Sequence, residues 1–91
     1  MSATIRIPTQ LRSLSGGASE VSLEGATLGD LLKALDVAHP GFADRLFDGS
    51  GKLRRFVNVY VAEEDIRFLQ GLETPIAEGA TVSIVPAVAG G

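Results

Sequence analysis

Apolar and polar residues alternate from Ala3 to Ile7, with Ile5 and Ile7 on one side and Thr4 and Arg6 on the other. A period of two predicts a half-buried strand. Ser13-Leu14-Ser15-Gly16-Gly17 is a turn signal, and alternation resumes from Glu20 to Glu24 with Val21 and Leu23 facing in. These two runs predict an N-terminal β-hairpin. The period then changes: Leu28, Leu31, Leu32 and Leu35 lie at i, i+3, i+4 and i+7, the single apolar stripe of a helix. Thr27 is a natural N-cap, Asp30 complements the dipole, and Pro40-Gly41 stops the helix. Phe42 to Phe47 predicts a short second helical turn. Phe56 to Val61 is the strongest strand pattern, with Val57, Val59 and Val61 on one face and Phe56, Asn58 and Tyr60 on the other. Glu63-Glu64-Asp65 predicts a polar turn into a short strand at Ile66 to Phe68. Thr74 to Gly79 reads as a connection, and Ala80 to Val85 as a last strand with Val82 and Ile84 inward, ended by Pro86.

Hairpin, helix, strand, short strand, strand is the order of an α+β roll. The ubiquitin-like β-grasp is the common small fold with this order: a mixed sheet of four to five strands with one main helix on one face. Residues 1–86 form that domain, and 87–91 remain as a C-terminal tail. A chain of 91 residues has room for one core only.

Composition narrows the chemistry. Eight basic against eleven acidic residues give a net charge of −3, which argues against nucleic-acid binding. There is no cysteine, hence no disulfide, thiolate metal site or cysteine nucleophile, and His39 is the only histidine. No metal site and no catalytic residue are expected. No signal-peptide core is visible, and no apolar run reaches the roughly 18 residues of a membrane span. The expected location is the cytoplasm, with no membrane partner.

Several motifs dissolve on inspection. Gly49-Ser50-Gly51-Lys52 resembles a phosphate loop, but Leu46 and Leu53 occupy the positions that need Gly and Ser or Thr. His39 reads as a helix-end residue, and Glu63-Glu64-Asp65 as a solvated turn, with an acidic docking edge or a single metal site as the alternatives. Lys52, Arg54 and Arg55 read as surface solvation or part of a docking face. Phe56, Asn58 and Tyr60 point away from the valine face, which divides them between loop-covered aromatics and a partner-binding surface.

The C-terminus is different. A strand and a proline are followed by Ala87-Val88-Ala89-Gly90-Gly91, with no charged side chain. Pro86 to Gly91 can extend about 20 Å, enough to carry the terminal carboxylate into another protein. Glycine without Cβ passes a narrow channel and leaves the acyl carbon open. The reactive group would be the Gly91 carboxylate, activated as an acyl-adenylate by a partner that uses ATP. Sulfide attack would then leave a thiocarboxylate.

These residues resemble the ThiS/MoaD-type sulfur-carrier proteins of the ubiquitin-like β-grasp class, over nearly the whole chain. The resemblance lies in Ile5-Arg6-Ile7-Pro8, Thr27-Leu28-Gly29-Asp30-Leu31 and Arg55-Phe56-Val57-Asn58-Val59-Tyr60-Val61. It continues through Glu64-Asp65-Ile66-Arg67-Phe68, Leu72, Thr74, Glu78-Gly79-Ala80 and Val82 to Gly91. The ending Pro86 to Gly91 is especially similar to that of the actinobacterial carriers of cysteine biosynthesis. The family often has Asp where Glu78 and Ala80 stand, a departure that touches the turn geometry alone.

The resemblance implies that an E1-like adenylating enzyme and sulfurtransferase acts on Gly91, while Ala87, Val88, Ala89 and Gly90 thread the partner's active site. It further implies a sulfur-accepting synthase, a pyridoxal-phosphate cysteine synthase in the cysteine branch, and a metal-dependent peptidase that releases the product. Thiosugar, thiamin and molybdopterin-type pathways are the other branches. ATP, pyridoxal phosphate and metal belong to the partners; the chain itself is a protein cosubstrate, not an enzyme. The alternative is a ubiquitin-like modifier joined to target lysines through Gly91.

Overall fold

The computed structural model describes residues 2–54 and 57–86. Phe56 and the tail residues Ala87, Val88, Ala89, Gly90 and Gly91 lie outside the described residues. Five strands, β1 (Ser2–Arg6), β2 (Glu20–Glu24), β3 (Val57–Val61), β4 (Glu64–Asp65) and β5 (Ala80–Pro86), form one sheet in the order β2-β1-β5-β3-β4. The helices are α1 (Leu28–Ala38) and α2 (Phe42–Leu46). β1 and β2 pair antiparallel, as the two alternating runs predict, and β5 pairs parallel with β1 and antiparallel with β3. The sheet is therefore mixed, and its last strand in sequence is its middle strand in space.

The apolar stripe of α1 fills the space over one sheet face. Leu28, Leu31, Leu32 and Leu35 are buried against Ala3, Ile5, Val59, Val82 and Ile84. Thr27 caps the helix, its Oγ1 accepting from Asp30 N at 3.2 Å. Asp36 then ties α1 to α2, its Oδ1 accepting from Gly41 N (3.2 Å) and Ala43 N (2.9 Å).

Two segments depart from the sequence pattern. Ile66–Phe68 is a 3-10 turn, not a strand. Asp65 accepts from Arg67 N at 2.9 Å, so its side chain winds the backbone that alternation would have left extended. The connection before β5 is a structural brace: Thr74 O accepts from Leu28 N (2.9 Å), Ile76 N donates to Ala26 O (3.0 Å), and Thr74 and Ile76 are buried. It satisfies a helix N-terminal amide that no residue of α1 can reach.

The polar turn at Glu63 carries strain. Val61 pairs with Glu64, and the two residues between, Ala62 and Glu63, have φ of 52° and 70°. Two positive φ values in a two-residue hairpin mark a type I′ turn, which favours Asn-Gly. A left-handed conformation costs an ordinary residue about 1–2 kcal/mol. Glu63→Gly should therefore raise stability by about 1 kcal/mol, or roughly 4–8 °C in Tm at this size. Thermal denaturation checks this; an unchanged or lower Tm contradicts it.

At the same end of the sheet, Glu78 holds the start of β1. Its carboxylate accepts from Ser2 N and Ser2 Oγ, both at 2.8 Å. The backbone hydrogen bond from Ser2, then the hydroxyl, lower the Glu78 pKa below its ordinary value. A depressed folded-state pKa gives stability present above the unfolded value and lost as pH falls through the folded one. Between neutral pH and about pH 2, the Glu78→Gln variant should thus lose less stability than the wild type. Parallel acid-denaturation curves would contradict this.

Candidate functional site

β5 places the start of the tail. Val82 and Ile84 are buried under α1, and Ser83 and Val85 face the other side. β1 accompanies β5 only as far as Arg6, opposite Ser83, whereas β3 continues alongside through Val57, opposite Pro86. Pro8 has no amide hydrogen to extend the β1 ladder, and the chain turns away in a 3-10 turn at Thr9–Leu11. A cleft of ≈ 560 Å³ opens where β1 departs, beside Val85. Pro86, the last described residue, ends the middle strand of the sheet.

Asn58 and Tyr60 lie half-exposed on the face opposite the valines, as the alternation predicts. Asn58 is engaged in a network: Arg67 Nη2 donates to Asn58 Oδ1 (3.0 Å) and to Asp65 Oδ2 (2.7 Å), and Arg67 Nε donates to Asp65 Oδ1 (3.1 Å). The Arg67 side-chain hydrogen bond, followed by its backbone amide, lowers the Asp65 pKa, and the same pair raises that of Arg67. Tyr60 sits in register between Ser83 and Asp65.

The structure adds an apolar group that sequence reasoning missed. Phe68, expected on a strand, projects from the 3-10 turn next to Arg67 with 86% of its surface exposed. The Asp65-Ile66-Arg67 spacing, an Asx cap two residues before a basic donor, was the available signal.

The other motifs take structural places. The amides of Ser50 (2.8 Å) and Lys52 (3.2 Å) donate to Asp48 Oδ1, as does the Ser50 hydroxyl (2.6 Å). These bonds, the hydroxyl's first, lower the Asp48 pKa. The glycine-rich loop is therefore folded around its own carboxylate and presents no phosphate cradle. His39 ends α1, its N–H donating to Leu35 O (2.8 Å) and its ring edge-on to Phe42 at 6.5 Å. Arg54 Nη2 donates to Asp44 O (3.1 Å). Among the described residues, no three metal-ligating side chains converge, and no helix is long and apolar enough to cross a membrane.

A model of the ThiS family matches residues 5–91, from the first strand through the terminal glycines. The chain belongs to the ThiS family. The sulfur carrier protein CysO of Mycobacterium tuberculosis is 52% identical over 93 residues, covering all of both chains. A chain of the Amycolatopsis orientalis BexX/CysO complex is 45% identical, covers 98% of this chain and 99% of its own, and superposes with a TM-score of 0.91. Small archaeal modifier protein 3 of Haloferax volcanii is 37% identical over 68 residues, 75% of this chain and 73% of its own. The five-stranded mixed sheet with one main helix is thus the ubiquitin-like β-grasp. Membership at this identity makes the chain a sulfur carrier, a substrate protein of its family.

Proposed function

We propose that the chain carries sulfur on its C-terminal Gly91, with residues 1–86 as the folded body and 87–91 as the tail that enters partner enzymes. The observation that supports this reading is the Gly90-Gly91 ending, at the fourth and fifth residues beyond the central strand β5, in a chain 52% identical to a sulfur carrier. The Gly91 carboxylate attacks the α-phosphorus of ATP on an E1-like adenylating enzyme, pyrophosphate leaves, and an acyl-adenylate forms. Sulfide attacks the acyl carbon, AMP leaves, and the terminus becomes a thiocarboxylate. Ala87, Val88 and Ala89 add neither charge nor bulk to the segment that must thread the enzyme.

Cysteine biosynthesis is the destination favoured by the identity with CysO. There the thiocarboxylate sulfur passes to an activated serine on a pyridoxal-phosphate synthase, and a metal-dependent peptidase frees the product from Gly91. ATP, pyridoxal phosphate and metal are held by these partners in the cytoplasm. Phe56, Asn58 and Tyr60 belong to the docking face. Incubation with the adenylating enzyme, ATP and sulfide should raise the intact mass by about 16 Da, the difference between sulfur and oxygen; an unchanged mass overturns the reading.

A second reading, conjugation of Gly91 to target lysines, is favoured by the likeness to the archaeal modifier. Both readings share adenylation. Isopeptide-linked peptides ending in Gly91 in digests of cell extract would establish the modifier role, and thiocarboxylate alone would exclude it.

A further inference from the structure

The charges of this acidic chain are sorted along the sheet. The end remote from the tail carries Glu24, Glu63, Glu64 and Glu78, and Arg6, opposite Ser83, lies between the two ends, also lining a hollow with Ala62, Glu63 and Gly79. At the tail end, the cleft beside β5 is walled by Arg6, Arg12, Gln10, Ser83 and Val85, with Glu20 its single acid. Arg6 is exposed opposite Glu20 of β2, and its side chain makes no hydrogen bond among the described residues. Arg12 is anchored at one point, its Nε donating to Ile7 O at 3.0 Å. That bond anchors the guanidinium at Nε and leaves both terminal nitrogens without an acceptor among the described residues. Two guanidinium groups with donors to spare, one of them anchored, suit carboxylates.

We infer that the Arg6–Arg12 cleft is the docking site for an acidic segment of the adenylating enzyme, seated beside the root of the tail as Gly91 enters the active site. This rests on the reading of Gly91 as the activated terminus and assigns the contact that orients it. Charge complementarity selects the occupant: an Asp- or Glu-bearing surface meets the arginines, while the four glutamates at the far end repel the inverted approach. Val85, 45% exposed in the cleft wall, gives the contact its apolar edge.

The test measures the initial rate of the 16 Da mass gain against carrier concentration, with the adenylating enzyme of the same organism, ATP and sulfide. Arg6→Gln with Arg12→Gln should raise the KM for the carrier about ten-fold and leave kcat unchanged, because the tail is intact. Rising salt should raise the wild-type KM and move the double variant's little. Arg12→Lys, which keeps the charge but loses the guanidinium fork and the Ile7 bond, should give a KM between those of the wild type and the double variant, and Glu24→Gln should match the wild type. Melting curves of all variants verify folding, and Arg6→Gln alone tests the cleft if the double variant unfolds.

A wild-type KM in the folded Arg6→Gln and double variants, with normal mass gain, overturns this inference alone. A change confined to the KM for ATP would place a nucleotide phosphate at the arginines and also overturn it. No mass gain from the wild type overturns the proposed function and this inference together.

Discussion

Gly90→Val should abolish thiocarboxylation of Gly91, by about 10²-fold or more in rate, and leave the melting temperature of the domain unchanged. The two halves of this result have separate causes. Valine brings a branched Cβ that confines χ1 and closes much of the backbone space glycine can use. It does so one residue from the acyl carbon that must meet ATP and then sulfide. A misplacement of 1 Å at a reacting centre costs on the order of 10²-fold. Stability should be spared because the buried core of the described residues runs from Ala3 to Ile84 and is closed without Gly90. Intact mass against time, with the adenylating enzyme, ATP and sulfide, reads the first half; thermal denaturation reads the second. Modification at the wild-type rate would show that the tail meets no narrow passage, and the role given to the two glycines would fall.

That prediction could be written from the sequence alone, because the chemistry resides in the main-chain terminus and needs no convergence of distant side chains. The periodic elements were legible for a similar reason. Leu28, Leu31, Leu32 and Leu35 announce α1, and the valines of β3 announce a strand, since each pattern is long enough for its period to show. Ile66 to Phe68 is too short for that. Three residues alternate equally well in a strand or a 3-10 turn, and the Asp65 carboxylate decided between them. The brace at Thr74–Ile76 was hidden because its partners, Ala26 and Leu28, lie far back in the chain.

The arginine cleft was illegible for the same physical reason. Arg6 and Arg12 look unrelated in a list of residues: one outward position on a strand, one in a loop. They are brought together because Pro8 ends the β1 ladder and the buried Leu11 pulls the following loop back onto the sheet end. The parallel β1–β5 pairing then sets that loop beside the tail root. Topology, not spacing, made the neighbourhood, so a local pattern carried no trace of it.

Gly25→Ala should be among the most destabilising single-methyl additions to this chain, although Gly25 is only half-buried and its φ is one any residue can adopt. Gly25 links β2 to α1, where the chain doubles back against the first turn of the helix. A Cβ there would lie 2.7 Å from Leu31 N, 2.9 Å from Leu31 Cα and 3.1 Å from the Asp30 carbonyl carbon. All three are backbone atoms of α1, so no side chain can rotate aside. Relief requires the helix to move, and α1 is pinned by the Thr27 cap, by the Thr74 carbonyl and by its four buried leucines. Overpacking of this kind costs about 1–3 kcal/mol or more, against about 0.4–1 kcal/mol recovered from a stiffer unfolded chain. A net loss of about 2 kcal/mol is expected, roughly 8–16 °C in Tm. Two companion substitutions give the scale. Gly29→Ala meets Leu72, its carbonyl oxygen at 3.2 Å and its Cβ at 3.6 Å, and should cost less, and Gly49→Ala, with nothing within 4 Å, should be neutral or slightly stabilising. Equal melting temperatures for the Gly25 and Gly49 variants would mean that β2 and α1 do not approach as closely as the backbone places them.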